Sequence, residues 1–198
     1  DGLAQKINDL GLKFGLWFEP ESVNPKSNLY RMHKDWIVRY PGIEPTESRF
    51  EYLLDLTLDE VCEYAINSVC DILSSANIEY VKWDMNRPMT DIPYKGFNHK
   101  FTLGFYKIMD AITSRFPNVL FEGCSGGGGR FDAGILAYMP QIWASDNSDA
   151  VKRMEIQYST SIGYPVSSIS AHVTAVPNHQ NGRVTNLKTR ADVAYCGV

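Results

Sequence analysis

The sequence predicts an α/β fold, an incomplete (β/α)8 barrel, and two observations carry that expectation. Short β-type apolar runs alternate with segments of helical periodicity along the chain, the pattern of βαβ units built on a parallel sheet. Polar residues suited to chemistry close several successive strands instead of gathering at one crevice, which favours a barrel over a doubly wound open sheet.

Taken in order, Leu3, Ile7 and Leu10 fall at helical spacing and predict an opening helix. Residues 12–18 form an apolar strand that ends in Glu19-Pro20-Glu21, the proline marking its exit. Residues 22–56 contain Pro25, Pro41 and Pro45 around a short run at 36–39, a long excursion that carries function or local structure. The clearest helix covers 57–76, where Val61, Cys62, Ala65, Val69, Ile72 and Leu73 share one stripe and Thr57 with Glu60 forms a capping-box pattern. A strand at 79–84 follows, then a loop with Pro88 and Pro93, then an amphipathic helix through Phe105, Ile108, Met109, Ile112 and Phe116. The strand at 118–124 opens into Ser125-Gly126-Gly127-Gly128-Gly129-Arg130. A short helical stretch near 132–138, a strand at 141–145, a helix beginning at Ser148, a fifth strand at 166–172 and a helix from about Asn186 complete the pattern.

The composition excludes several classes. With 198 residues, 44% apolar and 21% charged, the chain is long enough to bury a core and too apolar to be disordered. No apolar run approaches the ~20 residues of a spanning helix, and no signal peptide is visible, so a membrane is not an expected partner. The net charge of -4 and the lack of any Lys/Arg cluster argue against nucleic acid. Cys62, Cys70, Cys124 and Cys196 are scattered without a CxxC pair, which indicates neither a zinc site nor a disulfide framework and favours a reducing compartment. The chain opens on Asp1 inside a helical pattern and stops at Val198 while still apolar, as an excerpt of a larger protein would.

The chemistry concentrates on two aspartates. Asp84 closes the strand at 79–84 and Asp146 follows the strand at 141–145. Strand alternation puts Lys82, Asp84 and, if the extended geometry continues, Asn86 on one side, with Val81 and Trp83 on the other. Two carboxylates at a common rim permit glycoside hydrolysis, one attacking the anomeric carbon or activating water and the other protonating the departing oxygen; retention requires a separation of ~5 to 5.5 Å. Lys82 favours an ionised Asp84, whose negative charge favours a proton on Asp146. Equally, each aspartate can be a helix N-cap in a βα loop. Glu19, Glu21, Glu122 and Asp149 are competing carboxylates, Asp149 having the look of a first-turn helix acid. The glycine run lacks the Lys-Ser/Thr of a phosphate loop and fits close backbone approach to a ligand better. Cys124 is a nucleophile or a packed thiol, and His172, His179 and Asp192 have no specific metal-binding spacing. Trp17, Trp36, Trp83 and Trp143 offer faces for sugar rings or for the core.

Four motifs in order, Phe14-Gly15-Leu16-Trp17-Phe18-Glu19-Pro20-Glu21, Lys82-Trp83-Asp84-Met85-Asn86-Arg87, Glu122-Gly123-Cys124-Ser125-Gly126-Gly127-Gly128-Gly129-Arg130 and Trp143-Ala144-Ser145-Asp146-Asn147, resemble the catalytic domain of α-galactosidases of glycoside hydrolase family 36. The resemblance extends to Ser170-Ala171-His172-Val173 and Val176-Pro177-Asn178-His179-Gln180 and so covers nearly the whole chain. It implies a retaining hydrolase of terminal α-1,6-galactosyl groups in melibiose- and raffinose-type oligosaccharides, working by double displacement without a metal or other cofactor. By the same resemblance Asp84 is the nucleophile and Asp146 the acid/base, Trp17 belongs to the sugar pocket, Arg49 lies near the nucleophile, and Lys82, Asn86, Cys124 and Gly126 contact galactose hydroxyls. Motif order places the chain at about strands 3 to 7 of the barrel, with the family's flanking β domains absent. The reducing compartment favoured by the cysteines makes a cytoplasmic protein the expectation, and the resemblance implies a homotetramer when complete. A transglycosylase on the same scaffold and a noncatalytic sugar-binding fragment are the alternatives.

Overall fold

Two pairs of parallel strands, one in each of two compact units, organise the computed structural model, which describes residues 2–197. The units are Asp1–Val119 and Leu120–Val198.

The first unit opens with α1 (Gly2–Asp9), whose predicted apolar stripe is mostly outside: Ala4 is buried, whereas Leu3 and Leu10 are exposed. Strand β1 (Gly15–Phe18) pairs in parallel with β4 (Tyr80–Trp83) in the register Gly15↔Tyr80 to Phe18↔Trp83. The excursion between them holds local structure. Strands β2 (Ser22–Val23) and β3 (Tyr52–Leu53) pair antiparallel, with an isolated antiparallel bridge from Ile37 to Leu54 beside them. Helix α2 (Asn28–Met32) is capped by Ser27, whose hydroxyl accepts the Tyr30 N–H.

Helix α3 (Asp59–Ser75) forms where the apolar period predicts, burying Val61, Cys62, Ala65, Val69, Cys70 and Leu73; each larger apolar side chain removed from water there contributes roughly 1.5–3 kcal/mol. Its start differs from the capping box read in the sequence. Leu58 occupies the cap position without a side-chain bond, and Thr57 instead gives its N–H and hydroxyl to Asp55 Oδ1 at 2.9 and 2.7 Å. The competing Asx turn satisfies Thr57 locally, so the helix begins on Asp59 and Glu60, two acids at the positive end of the dipole. Helix α4 (Phe97–Arg115) packs along α3, and a Cβ at its Gly104 would lie 1.8 Å from the Leu56 carbonyl oxygen, so only glycine permits the approach.

In the second unit, β5 (Leu120–Gly123) and β6 (Gln141–Ile142) pair in parallel, Glu122 with Gln141 and Gly123 with Ile142. Between them a 3-10 turn covers Ile135–Ala137, begun by Asp132, which accepts the N–H groups of Gly134 and Ile135. Helix α5 (Ala150–Ser161) and α6 (Leu187–Ala194) pack together, the latter capped by Asn186 as its sequence position predicts. The expected strand at 166–172 is not a regular strand. Val166–Ser168 winds a 3-10 turn closed by Ser168 Oγ donating to the Pro165 carbonyl, and a single parallel bridge from Ile142 to Ile169 retains its strand character.

Candidate active site

In the first unit the β1–β4 register decides what surrounds Asp84. Val81 and Trp83 are fully buried, and Lys82 is half-buried, as strand alternation predicts. Pairing carries one residue past the strands, because the Asp84 N–H donates to the Phe18 carbonyl at 2.8 Å. Asp84 is 6% exposed, and its carboxylate accepts three hydrogen bonds: Trp17 Nε1 at 3.3 Å and Asn86 Nδ2 at 2.7 Å on Oδ2, and the Met85 N–H at 2.9 Å on Oδ1. Three donors converging on one carboxylate hold it in a single orientation. Asp84 is not a helix cap, since α4 starts beyond Gly96.

Glu19, one of the competing carboxylates, stands next to this cluster. Its Oε1 accepts the Asn86 N–H at 2.6 Å and lies 3.9 Å from Arg49 Nη1. Arg49 and Phe50 turn a tight hairpin, Ser48 and Glu51 exchanging backbone bonds at 3.1 and 2.9 Å, with φ of 57° and 61°. Such left-handed angles are uncommon for residues other than glycine and asparagine and cost of order 1–3 kcal/mol each, so the surroundings impose them. Arg87, 2% exposed, ties that hairpin to the segment after Asp84: it donates to the carbonyls of Thr46, Glu51 and Pro88 and to Thr90 Oγ1. Burial, with repulsion from Glu19, pushes the Glu51 carboxyl above its ordinary value. Glu21, 1% exposed, accepts the Trp83 indole N–H at 2.8 Å and holds the strand from behind.

In the second unit Asp146 stands in the loop after β6 and is exposed. Trp143 Nε1 donates to its Oδ1 at 3.1 Å. The N-cap of α5 is Asp149, so Asp146 is not a cap either; Asp149, 2% exposed, pairs with Arg183 at 3.0 Å. The loop is clamped from the far end of the chain. Gln180 donates to the Asp146 carbonyl and accepts the Ser148 N–H, both at 3.0 Å, while Asn178 Nδ2 donates to Ser148 Oγ at 3.0 Å.

The glycine run has a use the sequence reading did not assign to it. A Cβ on Gly127 would lie 2.9 Å from Ser145 Cα, and one on Gly128 2.6 Å from the Ala144 carbonyl oxygen. The close approach is therefore to the backbone that delivers Asp146. Gly126 and Gly127 have φ of 55° and 91°, angles that glycine adopts without strain. Cys124 is 4% exposed and lines a small recess with Gly123, Ser125 and Gly127, whereas Gly126 is exposed. His172 stacks on Trp143 at 4.2 Å and Asp192 pairs with Lys188 at 2.6 Å; among the described residues no group of three or more His, Cys, Asp or Glu is arranged to hold a metal.

The predicted residues thus gather as Trp17, Asn86 and Asp84 in direct contact, Arg49 joined to them through Glu19, and Lys82 on the same strand; Cys124 and Gly126 precede the loop that braces Asp146. Glu19, Trp143 and Gln180 were not singled out as site residues. The signal for Glu19 was its position closing β1 as Asp84 closes β4.

Comparison with known proteins places this geometry. The melibiase family model matches residues 1–198. The chain is 55% identical over its whole length to alpha-galactosidase AgaA of Geobacillus stearothermophilus and 51% identical over 98% of its length to the bifunctional alpha-galactosidase/sucrose kinase AgaSK of Mediterraneibacter gnavus. It spans 28% and 21% of those two proteins. The crystal structure of the GH36 enzyme AgaA superposes with a TM-score of 0.96, covering 100% of this chain and 29% of that one. Variants of AgaA have been solved with raffinose and with stachyose. The fold is that of part of an α/β barrel, as the alternation of elements predicts.

Proposed function

The chain belongs to the melibiase family, and from that membership we propose that the complete protein is a retaining α-galactosidase acting on terminal α-1,6-linked galactose in melibiose- and raffinose-type oligosaccharides. The observation that carries the reading is the Asp84 carboxylate, almost buried at the end of β4 and fixed by Trp17, Asn86 and its own backbone. A carboxylate so held is fixed in orientation and positioned to attack.

In this reading Asp84 attacks the anomeric carbon, the bond to the leaving oxygen breaks, and Asp146 gives that oxygen a proton. A galactosyl ester on Asp84 results. Asp146, now a base, takes a proton from water, which attacks the same carbon and releases galactose with its configuration retained. Lys82, Asn86, Cys124 and Gly126 are assigned to the galactose hydroxyls and Arg49 to the neighbourhood of the nucleophile, and Trp17 gives one edge to Asp84 and a half-exposed face to the sugar ring. The solved complexes of AgaA with raffinose and stachyose support the substrate class. A cytoplasmic homotetramer completes the proposal, checked by fractionation and by light scattering on the complete protein.

Asp84→Ala should abolish hydrolysis of p-nitrophenyl α-galactoside, a loss of about 10⁴-fold or more; near-native activity sinks the assignment. Asp146→Ala should lose raffinose hydrolysis far more than hydrolysis of the aryl substrate, whose leaving group needs no proton. Products that carry galactose on an added acceptor sugar at the expense of free galactose would make the enzyme a transglycosylase instead.

A further inference from the structure

The guanidinium of Arg153 is a buried charge that the chemistry above does not use. Arg153, on α5, is 4% exposed, and its three hydrogen bonds all go to neutral acceptors: Nε to Gln157 Oε1 at 3.2 Å, Nη1 to the Ser145 carbonyl at 3.1 Å and Nη2 to the Ser170 carbonyl at 2.6 Å. Its guanidinium carbon lies 4.3 Å from the Trp143 ring. A buried cation whose hydrogen bonds reach no carboxylate is costly, and an aliphatic side chain would fill the same volume more cheaply.

What Arg153 touches has a common destination. Ser145 immediately precedes Asp146 in the chain, and the Trp143 indole N–H donates to Asp146 Oδ1. Ser170 is tied to the same strand, its N–H donating to the Ile142 carbonyl at 2.9 Å. Gln157, which receives Nε, is itself anchored on the Val193 carbonyl of α6 at 3.0 Å. We propose that Arg153 is the positioning residue of Asp146, fixing the Ser145 peptide through Nη1 and the Trp143 ring through its flat face, so that the indole N–H holds the Asp146 carboxylate in one orientation for proton transfer. The proposal rests on the reading of Asp146 as the acid/base.

The physical case for an arginine here is geometric. An exposed aspartate has several rotamers within reach, and proton transfer needs its oxygen within ≈ 2.6–3.2 Å of the leaving oxygen. A planar fork bonds two carbonyls and an amide while its face lies on an indole; lysine supplies the charge without the fork or the face. Arg153→Lys therefore separates position from charge.

The test uses the complete protein, with raffinose and p-nitrophenyl α-galactoside as substrates. Arg153→Lys should lower kcat/KM for raffinose, which reports the step that expels the leaving group, by about 10- to 100-fold, while kcat/KM for the aryl substrate changes by no more than about threefold. Trp143→Phe, which removes the N–H and leaves a smaller aromatic face, should reproduce that split. In an Asp146→Ala background, Arg153→Lys should add no further loss on raffinose, the signature of residues acting as one unit. Equal losses on the two substrates, an additive loss in the Asp146→Ala background, or unchanged kinetics would each overturn the proposal. Should Arg153→Lys fail to fold, Trp143→Phe decides alone, an even loss refuting and an uneven one supporting. If Asp146→Ala shows no leaving-group selectivity, the acid/base reading itself falls and takes this proposal with it; a selective Asp146→Ala beside an unselective Arg153→Lys removes only the role of Arg153.

Discussion

The surroundings of Asp84 and of Asp146 are built by different means. Around Asp84 the donors come from both strands of a parallel pair: Trp17 lies 67 residues away in sequence, and Asn86 is in turn held by Glu19, also 67 residues distant. The carboxylate is 6% exposed and accepts three hydrogen bonds. Asp146 is exposed, accepts from a tryptophan three residues before it, and depends on clamps applied to its backbone by the glycine run and Gln180. One carboxylate is gripped by three donors to its oxygens, the other by a single donor and by its main chain. The division suits the roles proposed for them, because a nucleophile must be fixed against one carbon, whereas an acid/base must meet the leaving group and then water.

That contrast can be broken by choosing substitutions that attack one grip and not the other. The largest effect should come from Gly128→Ala, whose Cβ would lie 2.6 Å from the Ala144 carbonyl oxygen and must displace backbone. A shift of ~1 Å in a catalytic group can cost about 10²-fold, so raffinose hydrolysis should fall by that order while the aryl α-galactoside suffers much less. Asn86→Ala removes the 2.7 Å bond to the Asp84 carboxylate and should lower kcat/KM by about 10- to 100-fold on both substrates alike, since a bond to a charged group contributes roughly 1.5–3 kcal/mol. Selectivity between the two substrates in Asn86→Ala would contradict the contrast. Trp17→Phe removes a longer bond of 3.3 Å at a half-exposed ring, and a few-fold loss is expected, again without selectivity.

The smallest effect concerns stability. The folded-state value of the Glu51 carboxyl is raised above its ordinary 4.5, so the native chain holds this proton more tightly than the unfolded one. Its ionisation in the folded state is therefore destabilising; the penalty is absent below pH 4.5, grows as the pH rises through the raised value and is fully present above it. Glu51→Gln should gain Tm relative to the wild type as the pH is raised from 4 to 7. A gain at pH 4 that vanishes at pH 7 would reverse the sign and refute the assignment.

Regions governed by local pattern were readable in the sequence, and regions governed by register were not. The helix at α3 follows from its apolar period, and the two strand-end aspartates follow from short β runs closed by acids. Their alternative as N-caps was excluded only by the position of the true caps, Gly96 and Asp149. The contact of Glu19 with Asn86 depends on the parallel register of β1 with β4, which no local pattern states. At Val166–Ser168 the β-branched start suggested a strand, but Pro165 offers its carbonyl to the Ser168 hydroxyl and N–H, and the resulting turn prevailed. The glycine run announced close approach without saying to what, because the Ala144 and Ser145 backbone it meets lies beyond the intervening 3-10 turn.

Two of the four indoles, Trp17 and Trp143, donate directly to the two aspartates, while Trp83 donates to Glu21 at the back of its strand. Among the indoles of this chain there is thus a separate optical reporter for each candidate catalytic carboxylate. A ligand that displaces or neutralises Asp84 should change the emission of Trp17, and one that engages Asp146 that of Trp143. Single tryptophan-to-phenylalanine variants then allow the two halves of the reaction to be followed in real time without a chromogenic sugar.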